Sequence, residues 1–333
     1  MANPGGGETQ LRELARSLRD VGVEARLWRP WEDRLAEADC LHLFGSTPQH
    51  ATIVAAARRH RLPVVLSPIA WFDLASRWHE HGPLPRRVAA CGALVARRLC
   101  CSIPSWRRRL YQSVDLLLPN SVAEADQLRR YFGISSHRIR VVPNGADPRF
   151  ADASPEPFAR RVAHRDFALY AGRIEPRKNQ LGFLRAMRGS GVPIVVLGDA
   201  VAGHEDYAAQ CRREADEWVT FVGAVDHDDP LLASAYAACA CLVLASWYET
   251  PGLVALEAAM TGAPLVLTSR GSAREYFGDR ARYVSPARSQ EIRRAVLASC
   301  QLGRSPELAR LVLRHFTWQA AAEATRDAYA EVL

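Results

Sequence analysis

The chain has 333 residues, 48% of them apolar, and a formal net charge of +7 with a sequence pI near 9.2. This length and apolar content predict about two globular domains, each with its own core. The positive charge favours anionic partners such as nucleotides, phosphates or an acidic membrane surface. No zinc-finger, RNP or helix-turn-helix pattern accompanies the charge, so nucleic acid is not an expected partner.

The cysteines and the start of the chain predict a reducing compartment. The eight cysteines form no C-x-x-C pair, and most lie in apolar runs, which indicates buried and reduced thiols. No signal peptide opens the sequence, and no uncharged run reaches the ~18 residues needed to span a bilayer. We therefore expect a cytoplasmic protein.

Apolar runs of strand length alternate with amphipathic helical stretches, which predicts a parallel α/β architecture. The first helix is predicted at Thr9–Val21. Only four residues precede Gly5-Gly6-Gly7, so the strand expected before these glycines is predicted to be absent or much shortened. The predicted strands of the first half are Glu24–Trp28, Cys40–Phe44, Pro63–Ser67, Asp115–Leu118 and Arg138–Val142.

A Pro-rich stretch at residues 143–166 interrupts this alternation and predicts a domain boundary. We assign residues 1–155 to an N-terminal domain, completed by a returning C-terminal helix at 317–333. Residues 156–316 form the C-terminal domain. Its predicted strands are Phe167–Tyr170, Pro193–Leu197, Val219–Val222, Cys241–Leu244 and Pro264–Thr268.

Lys178 is the only lysine among 43 Lys and Arg residues. A lysine is a compact point charge, which suits a phosphate approached end-on, whereas arginine is a wide planar fork. Lys178 follows a predicted strand and the pair Gly172-Arg173, and loops after the strands of α/β folds are common ligand sites. This position favours a phosphate-binding lysine over an incidental surface lysine.

A helix start is predicted directly after Glu249, with Thr250 as N-cap and Pro251 as first helical residue. The amides of Gly252 and Leu253 would then face outward, where a helix end stabilises an anion.

Glu257 lies seven residues after Thr250, at a similar azimuth and ~10 Å further along the predicted helix. Two carboxylates spaced in this way match a nucleoside diphosphate sugar, with Glu249 at the sugar and Glu257 at the ribose hydroxyls. The alternative is that Glu257 is a solvated helix residue. Its apolar neighbours favour a buried carboxylate that needs a partner.

Four stretches of the chain resemble the retaining glycosyltransferases of group 1, which have the GT-B fold. The four stretches are Gly5-Gly6-Gly7-Glu8, Val142-Pro143-Asn144-Gly145-Ala146-Asp147, Gly172-Arg173 through Lys178, and Glu249 through Glu257. The resemblance implies two Rossmann-like domains facing a cleft, an N-terminal acceptor-side domain and a C-terminal domain that binds the nucleotide sugar. It implies transfer of a sugar from a nucleotide-diphosphate sugar to a glycan or lipid-linked saccharide.

The resemblance also implies the roles of individual residues. Arg173 and Lys178 resemble the pair that binds the donor diphosphate and offsets the charge that develops on the leaving nucleotide. Glu249 resembles the carboxylate at the donor sugar, and Glu257 resembles the ribose ligand. Gly6 and Gly7 resemble the N-terminal loop whose backbone approaches the phosphate. No cofactor or metal is expected, because basic residues and helix amides replace the metal in this family.

Four features complete the set of candidates. Ile69 stands where the family often has a histidine on the acceptor side, and His42 is another candidate, for which a structural role is favoured. The loop Asp226–Asp229 is interpreted as a helix cap rather than as a metal site. Residues 86–110 combine arginines with apolar residues, which fits either peripheral contact with an anionic membrane or an ordinary packed helix with a solvated face.

Two rival hypotheses stay open at the level of sequence. A nucleotide-sugar 2-epimerase can share the two-domain fold and needs no acceptor. A catalytically degenerate GT-B partner protein would account for Ile69 and the missing strand. A dehydrogenase is disfavoured because the N-terminal glycines lack G-x-G-x-x-G spacing, and no Walker loop supports an ATPase.

Overall fold

A computed structural model describes residues 5–79, 83–162, 164 and 166–333. This part of the chain divides into two compact units. The N-terminal unit contains residues 6–78, 83–144 and 318–333, and the C-terminal unit contains residues 145–317 with Gly5 and His79. Residues 145–155, which the sequence analysis placed in the first domain, thus belong to the C-terminal unit, and residues 318–333 return to the N-terminal unit as a helix.

The N-terminal unit is a parallel three-stranded sheet, in the order β1-β2-β3, with helices packed around it. Its strands are β1 Leu41–Phe44, β2 Val64–Ser67 and β3 Leu116–Leu117. Its α-helices are α1 Gly6–Asp20, α2 His50–Arg59, α3 Leu74–Trp78, α4 Leu84–Leu99, α5 Trp106–Ser113, α6 Val122–Phe132 and the returning α15 Trp318–Ala330, which packs on α1.

Two predicted strands of this unit are not formed. Residues 24–28 form no helix and pair with no strand within the described chain, and Leu27 is 48% exposed, so no apolar face is buried there. Arg138 ends a 3-10 helix, and residues 139–142 run beside β3 with a single bridge between Leu117 and Ile139, because β3 is only two residues long. The strand predicted to be missing before the glycines falls on residues 1–4, outside the described residues.

The C-terminal unit is a parallel six-stranded sheet in the order β6-β5-β4-β7-β8-β9. Four of the six strands are buried at every residue, as expected for a parallel sheet with helices on both faces. The strands are β4 Ala168–Ala171, β5 Ile194–Leu197, β6 Val219–Gly223, β7 Cys241–Leu244, β8 Leu265–Thr268 and β9 Arg282–Val284. The α-helices are α7 Glu156–Val162, α8 Gln180–Met187, α9 Glu205–Glu214, α10 Pro230–Ala238, α11 Leu253–Met260, α12 Ala273–Phe277, α13 Ser289–Cys300 and α14 Pro306–His315.

The five strands predicted for this unit are confirmed to within one residue at each end. The sequence analysis missed β9, a three-residue edge strand that begins with the exposed Arg282 and so lacks an apolar run. None of the helices in the described residues is both long enough and apolar enough to cross a bilayer.

Candidate active site

The candidate site lies where two adjacent strands of the C-terminal unit end. β4 and β7 are parallel neighbours, with Ala168 opposite Cys241 and Leu169 opposite Leu242. Their carboxyl ends therefore lie at the same edge of the sheet, and the loops 172–179 and 245–252 follow directly. This is the edge at which parallel α/β sheets bind ligands.

The turn after β4 depends on two glycines that pack against each other. Gly172 has φ +139° and donates its amide to the carbonyl oxygen of Leu197 at 2.9 Å. A Cβ atom at Gly198 would lie 2.1 Å from the carbonyl oxygen of Gly172. This close approach fixes the course of the backbone from Gly172 into Arg173. The carbonyl oxygen of Arg173 in turn accepts a hydrogen bond from the side-chain amide of Gln180 at 2.8 Å.

The structure brings Lys178 and Glu249 into contact. The Nζ atom of Lys178 donates to Oε1 of Glu249 at 2.6 Å, and Oγ of Ser246 donates to the same oxygen at 2.6 Å. Glu249 is 4% exposed. Burial by itself would raise the pKa of Glu249, but the charges of Lys178 and Arg177 and the two hydrogen bonds hold it below its usual value. The carboxylate is therefore ionised and fixed.

The cation of this pair is buried as well. The side chain of Lys178 is 12% exposed. Burial lowers the pKa of Lys178, and the carboxylate of Glu249 opposes that fall. A lysine in such a position depends on a nearby anion. Glu249 supplies one negative charge at this edge of the sheet.

The residues after Glu249 follow a different path from the one predicted. Helix α11 begins at Leu253 with Gly252 at its N-cap, so the predicted cap at Thr250 is wrong. Gly252 has φ +90°, and the backbone of Glu249 pairs with Gly271 as in a parallel sheet. Residues 250 and 251 then form a bend, so the helix starts two residues later than the local sequence indicates.

The shift leaves Gly252 and Leu253 at the helix end, where the first amides have no partner within the helix. It also shortens the distance from the helix mouth to Glu257. Glu257 lies five residues after Gly252, which corresponds to ~7.5 Å of helix rise, instead of the ~10 Å expected from Thr250.

Glu257 is buried and satisfied by side chains of the same unit. It is 4% exposed, and its Oε2 accepts from the hydroxyl of Tyr236 at 2.8 Å. Its Oε1 lies 3.0 Å from Nε2 of His227. The interpretation of Glu257 as a solvated helix residue is therefore wrong.

The loop before α10 behaves as predicted. Asp229 is the N-cap of α10, and its carboxylate accepts from the amide of Leu231 at 2.8 Å. The capping role assigned to Asp226–Asp229 is confirmed.

The N-terminal glycines lie in a helix rather than in a loop. Gly6 and Gly7 are the first two residues of α1. A Cβ atom at Gly7 would lie 3.6 Å from Cδ1 of Ile69, an ordinary contact, so the packing within this unit does not require glycine there. Their proposed role toward a phosphate stays a prediction.

Ile69 has an unusual backbone conformation for a β-branched residue, with φ +47°. The next amide, that of Ala70, donates to Oε1 of Glu124 at 2.6 Å, and the amide of Asn120 donates to Oε2 at 2.9 Å. Burial raises the pKa of Glu124 to about 7, although both amide bonds oppose the shift. The strained turn is thus held by a buried carboxyl group.

His42 has the structural role favoured from the sequence. Its Nδ1 lies 2.7 Å from the hydroxyl of Tyr329 and its Nε2 lies 2.9 Å from Oγ of Ser67. Burial lowers the pKa of His42 to about 3, so the ring is neutral and serves to join β1, β2 and α15.

Two models of known protein families match this chain. Residues 165–301 match the model of the family described as Glycosyl transferases group 1, and residues 4–150 match the model described as Glycosyltransferase Family 4. The two matches do not overlap and together include most of the chain. The chain belongs to the group 1 glycosyltransferases.

Relatives of this group 1 member include enzymes that build glycans. It is 29% identical over 244 residues to the O-antigen chain mannosyltransferase B of Escherichia coli, covering 67% of this chain and 63% of that protein. It is 31% identical over 274 residues to the glycogen synthase of Mycobacterium tuberculosis, covering 80% of this chain and 58% of that protein. The chain therefore spans less than two thirds of each relative's length.

A solved structure confirms the GT-B fold. Anabaena HepE, crystallised with UDP and glucose, superposes with a TM-score of 0.72 at 17% identity, over 99% of this chain and 97% of HepE. The two Rossmann-like units and their parallel sheets are those expected for this family.

Sequence reasoning missed several residues that shape the site of this group 1 member. Arg177 donates to Oε1 of Glu175 at 2.7 Å, and its backbone carbonyl accepts from the amide of Trp247 at 2.9 Å. Ser246 and Tyr236 contact the two candidate carboxylates. The position of Arg177 beside Lys178 was a usable signal for Arg177, whereas the hydroxyls of Ser246 and Tyr236 are distinguished only by the fold.

Proposed function

We propose that this protein is a retaining, metal-independent glycosyltransferase that moves a hexose from a nucleotide-diphosphate sugar to a glycan or lipid-linked saccharide. The observation that carries the proposal is the contact between Lys178 and Glu249 at the carboxyl edge of β4 and β7. A buried cation is held there by a fixed carboxylate, next to the amides at the start of α11. An anionic diphosphate carrying a sugar fits this combination of charges.

In this proposal Arg173 and Lys178 bind the diphosphate. The side chain of Arg173 is 35% exposed and can swing toward a ligand, whereas Lys178 is held in place by Glu249. Gly172 leaves room for the phosphate beside the backbone, and the amides of Gly252 and Leu253 add donors. As the bond from sugar to phosphate breaks, these groups stabilise the charge on the leaving nucleotide.

Glu249 acts on the sugar as a fixed hydrogen-bond acceptor. Its low pKa makes it a poor proton donor, and its buried Oε1 already accepts two hydrogen bonds. We propose that a phosphate oxygen of the leaving group deprotonates the acceptor on the same face of the sugar, which retains the anomeric configuration. The ribose hydroxyls bind at Glu257, next to Tyr236.

We propose UDP as the first nucleotide to test. HepE of Anabaena was crystallised with UDP and glucose, and this supports a UDP-sugar donor for a chain of the same fold. The relatives named for O-antigen and glycogen support a glycan acceptor. A cytoplasmic location is part of the same proposal.

Peripheral contact with an anionic membrane through residues 86–110 is part of the same proposal. In α4, Leu84, Val88, Val95 and Leu99 repeat with helical spacing and are 57%, 52%, 43% and 83% exposed. Arginines of the same helix flank this stripe, which supports attraction to anionic lipid. In α5, by contrast, Leu110 and Tyr111 are buried, so this part of the stretch packs in the core.

The direct test is calorimetric titration of UDP, GDP and ADP and their sugars into the full chain. We expect one nucleotide to bind, and Lys178→Ala to weaken it at least tenfold. Arg185→Ala, at a surface pair with Glu214, is the matched control and should bind normally. If the folded chain binds no nucleotide, the degenerate partner hypothesis replaces ours.

Product analysis separates the enzymatic alternatives. Transfer predicts a new glycosidic bond whose anomeric configuration by NMR matches that of the donor. An epimerase would interconvert the donor sugar without any acceptor. Activity should survive treatment with EDTA, because the cations of the site are Arg173 and Lys178. Loss of activity that Mg²⁺ restores would contradict the metal-independent proposal.

A further inference from the structure

Two cysteines far from the candidate active site lie in contact. Sγ of Cys241 is 3.5 Å from Sγ of Cys300. Cys241 is the first residue of β7 and is 0% exposed, while Cys300 is the last residue of α13 and is partly exposed. α13 packs on β7, β8 and β9, so a rigid layer holds the pair together.

The two thiols differ in a way that suits stepwise oxidation. The hydrogen bond between the two thiols lowers the pKa of Cys300. The same hydrogen bond, together with burial, raises the pKa of Cys241 well above its usual value. Cys300 is thus the accessible and more acidic thiol, and Cys241 is the protected one. Reactive cysteines have this character, whereas buried structural ones do not.

Another cysteine near this pair, Cys239, could in principle form a disulfide with Cys300, but its thiol is already hydrogen-bonded to a backbone carbonyl. Cys239 is 3% exposed, and its thiol donates to the carbonyl oxygen of Tyr236 at 3.4 Å. Burial raises the pKa of Cys239 to about 12. Cys239 lies two residues before Cys241 and therefore provides an internal comparison.

We propose that Cys300 and Cys241 form a redox-active dithiol, which closes to a disulfide when the chain meets a low-molecular-weight disulfide oxidant. The thiolate of Cys300 attacks one sulfur of oxidised glutathione, forms a mixed disulfide and releases one glutathione thiolate. The sulfur of Cys241 then attacks the sulfur of Cys300, gives up its proton to the departing thiolate and releases the second glutathione. Two protein thiols are oxidised, and one glutathione disulfide is reduced to two thiols.

The geometry allows closure with a local movement. An S–S bond is ~2.05 Å long, so the two sulfurs must approach by ~1.5 Å. Cys300 ends its helix and is followed by a turn, where such a shift disturbs few backbone hydrogen bonds. The new bond would join the start of β7 to the end of α13, at the opposite end of β7 from Ser246 and Glu249. We therefore expect oxidation to stabilise the C-terminal unit without blocking nucleotide binding.

Peptide mapping of the full chain tests this proposal. The reduced chain is incubated with oxidised glutathione, free thiols are alkylated, and peptides are mapped without reduction. We expect a Cys241–Cys300 cross-linked peptide that dithiothreitol removes. Cys300→Ser should abolish it, and Cys239→Ser, which changes an equally buried neighbour, should leave it intact.

Thermal unfolding provides a second measurement. Oxidation should raise the Tm of the wild type and of Cys239→Ser by several degrees, because the new bond closes a long loop, and it should not raise the Tm of Cys300→Ser. Glutathione that stays attached to Cys300, a cross-link to Cys239, or oxidation confined to the exposed Cys100 would each overturn the proposal.

Discussion

Nζ of Lys178 and Oε1 of Glu249 lie 2.6 Å apart although 71 residues separate them in the chain. The contact exists because β4 and β7 are neighbours in the sheet, so the loops that follow them meet. It joins the only lysine of the sequence to one of the two carboxylates predicted to bind the donor.

Lys178→Arg should lower the donor kcat/KM by about 100-fold, a loss typical of removing one preorganised electrostatic group. The guanidinium is wider than an ammonium and does not fit the buried contact with Glu249 in the same way. Release of nucleoside diphosphate from the donor measures the effect. Arg185→Lys, in an exposed pair with Glu214, is the control and should keep full activity. An unchanged rate for Lys178→Arg would disprove the point-charge argument.

Glu257→Gln should raise the donor KM about tenfold and change kcat less than twofold. The ribose is bound equally in the ground state and in the transition state, so its contacts contribute mostly to KM. A hydrogen bond to a charged group contributes about 1.5 kcal/mol, which corresponds to roughly tenfold in affinity. Initial rates over a range of donor concentrations give both constants.

Tyr236→Phe is the matched comparison for this prediction. It removes the hydroxyl that donates to Glu257 at 2.8 Å and leaves the carboxylate in place. We expect a smaller rise in KM than for Glu257→Gln. A large fall in kcat at constant KM in Glu257→Gln would instead place Glu257 at the reacting atoms.

Gly198→Ala should destabilise the chain by about 3 kcal/mol, because an added Cβ atom would lie 2.1 Å from the carbonyl oxygen of Gly172. Gly198 also has φ +140°, a conformation that alanine rarely adopts. The displaced turn should weaken nucleotide binding as well. Urea unfolding measures the free energy, and Gly303→Ala, where a Cβ atom meets nothing within 4 Å, should change it by less than about 0.5 kcal/mol.

Glu124→Gln tests the pH dependence of the N-terminal unit. Burial raises the pKa of Glu124 from 4.5 to about 7, so between these values the folded chain binds more protons than the unfolded chain. The contribution of Glu124 to stability is therefore fully present below pH 4.5, falls as pH rises and is lost by about pH 7. The slope is about 1.4 kcal/mol per pH unit.

In Glu124→Gln this slope should be absent, because the amide does not titrate. The free energy of unfolding, measured by urea at pH 5 and at pH 7.5, should fall less in the variant than in the wild type. Parallel curves for the two proteins would show that Glu124 does not titrate in this range.

The sequence by itself determined the fold class and the candidate residues. Buried parallel strands need continuous apolar runs, and for that reason β4 to β8 could be read from composition and spacing. Lys178, Glu249 and Gly172 could be found because their residue types are rare or demanding at such positions. The N-cap at Asp229 could be read because capping is a local interaction.

Tertiary structure decided the features that depend on a neighbour distant in sequence. The edge strand β9 forms because β8 offers it a partner, whereas residues 24–28 have strand composition but no partner in the described sheet. Helix α11 starts at Leu253 because the backbone of Glu249 pairs with Gly271. The meeting of Lys178 with Glu249, and of Cys241 with Cys300, follows from strand order and helix packing. Local residue preferences contain no information on either, because the free energy of these contacts is gained only when the whole sheet is assembled.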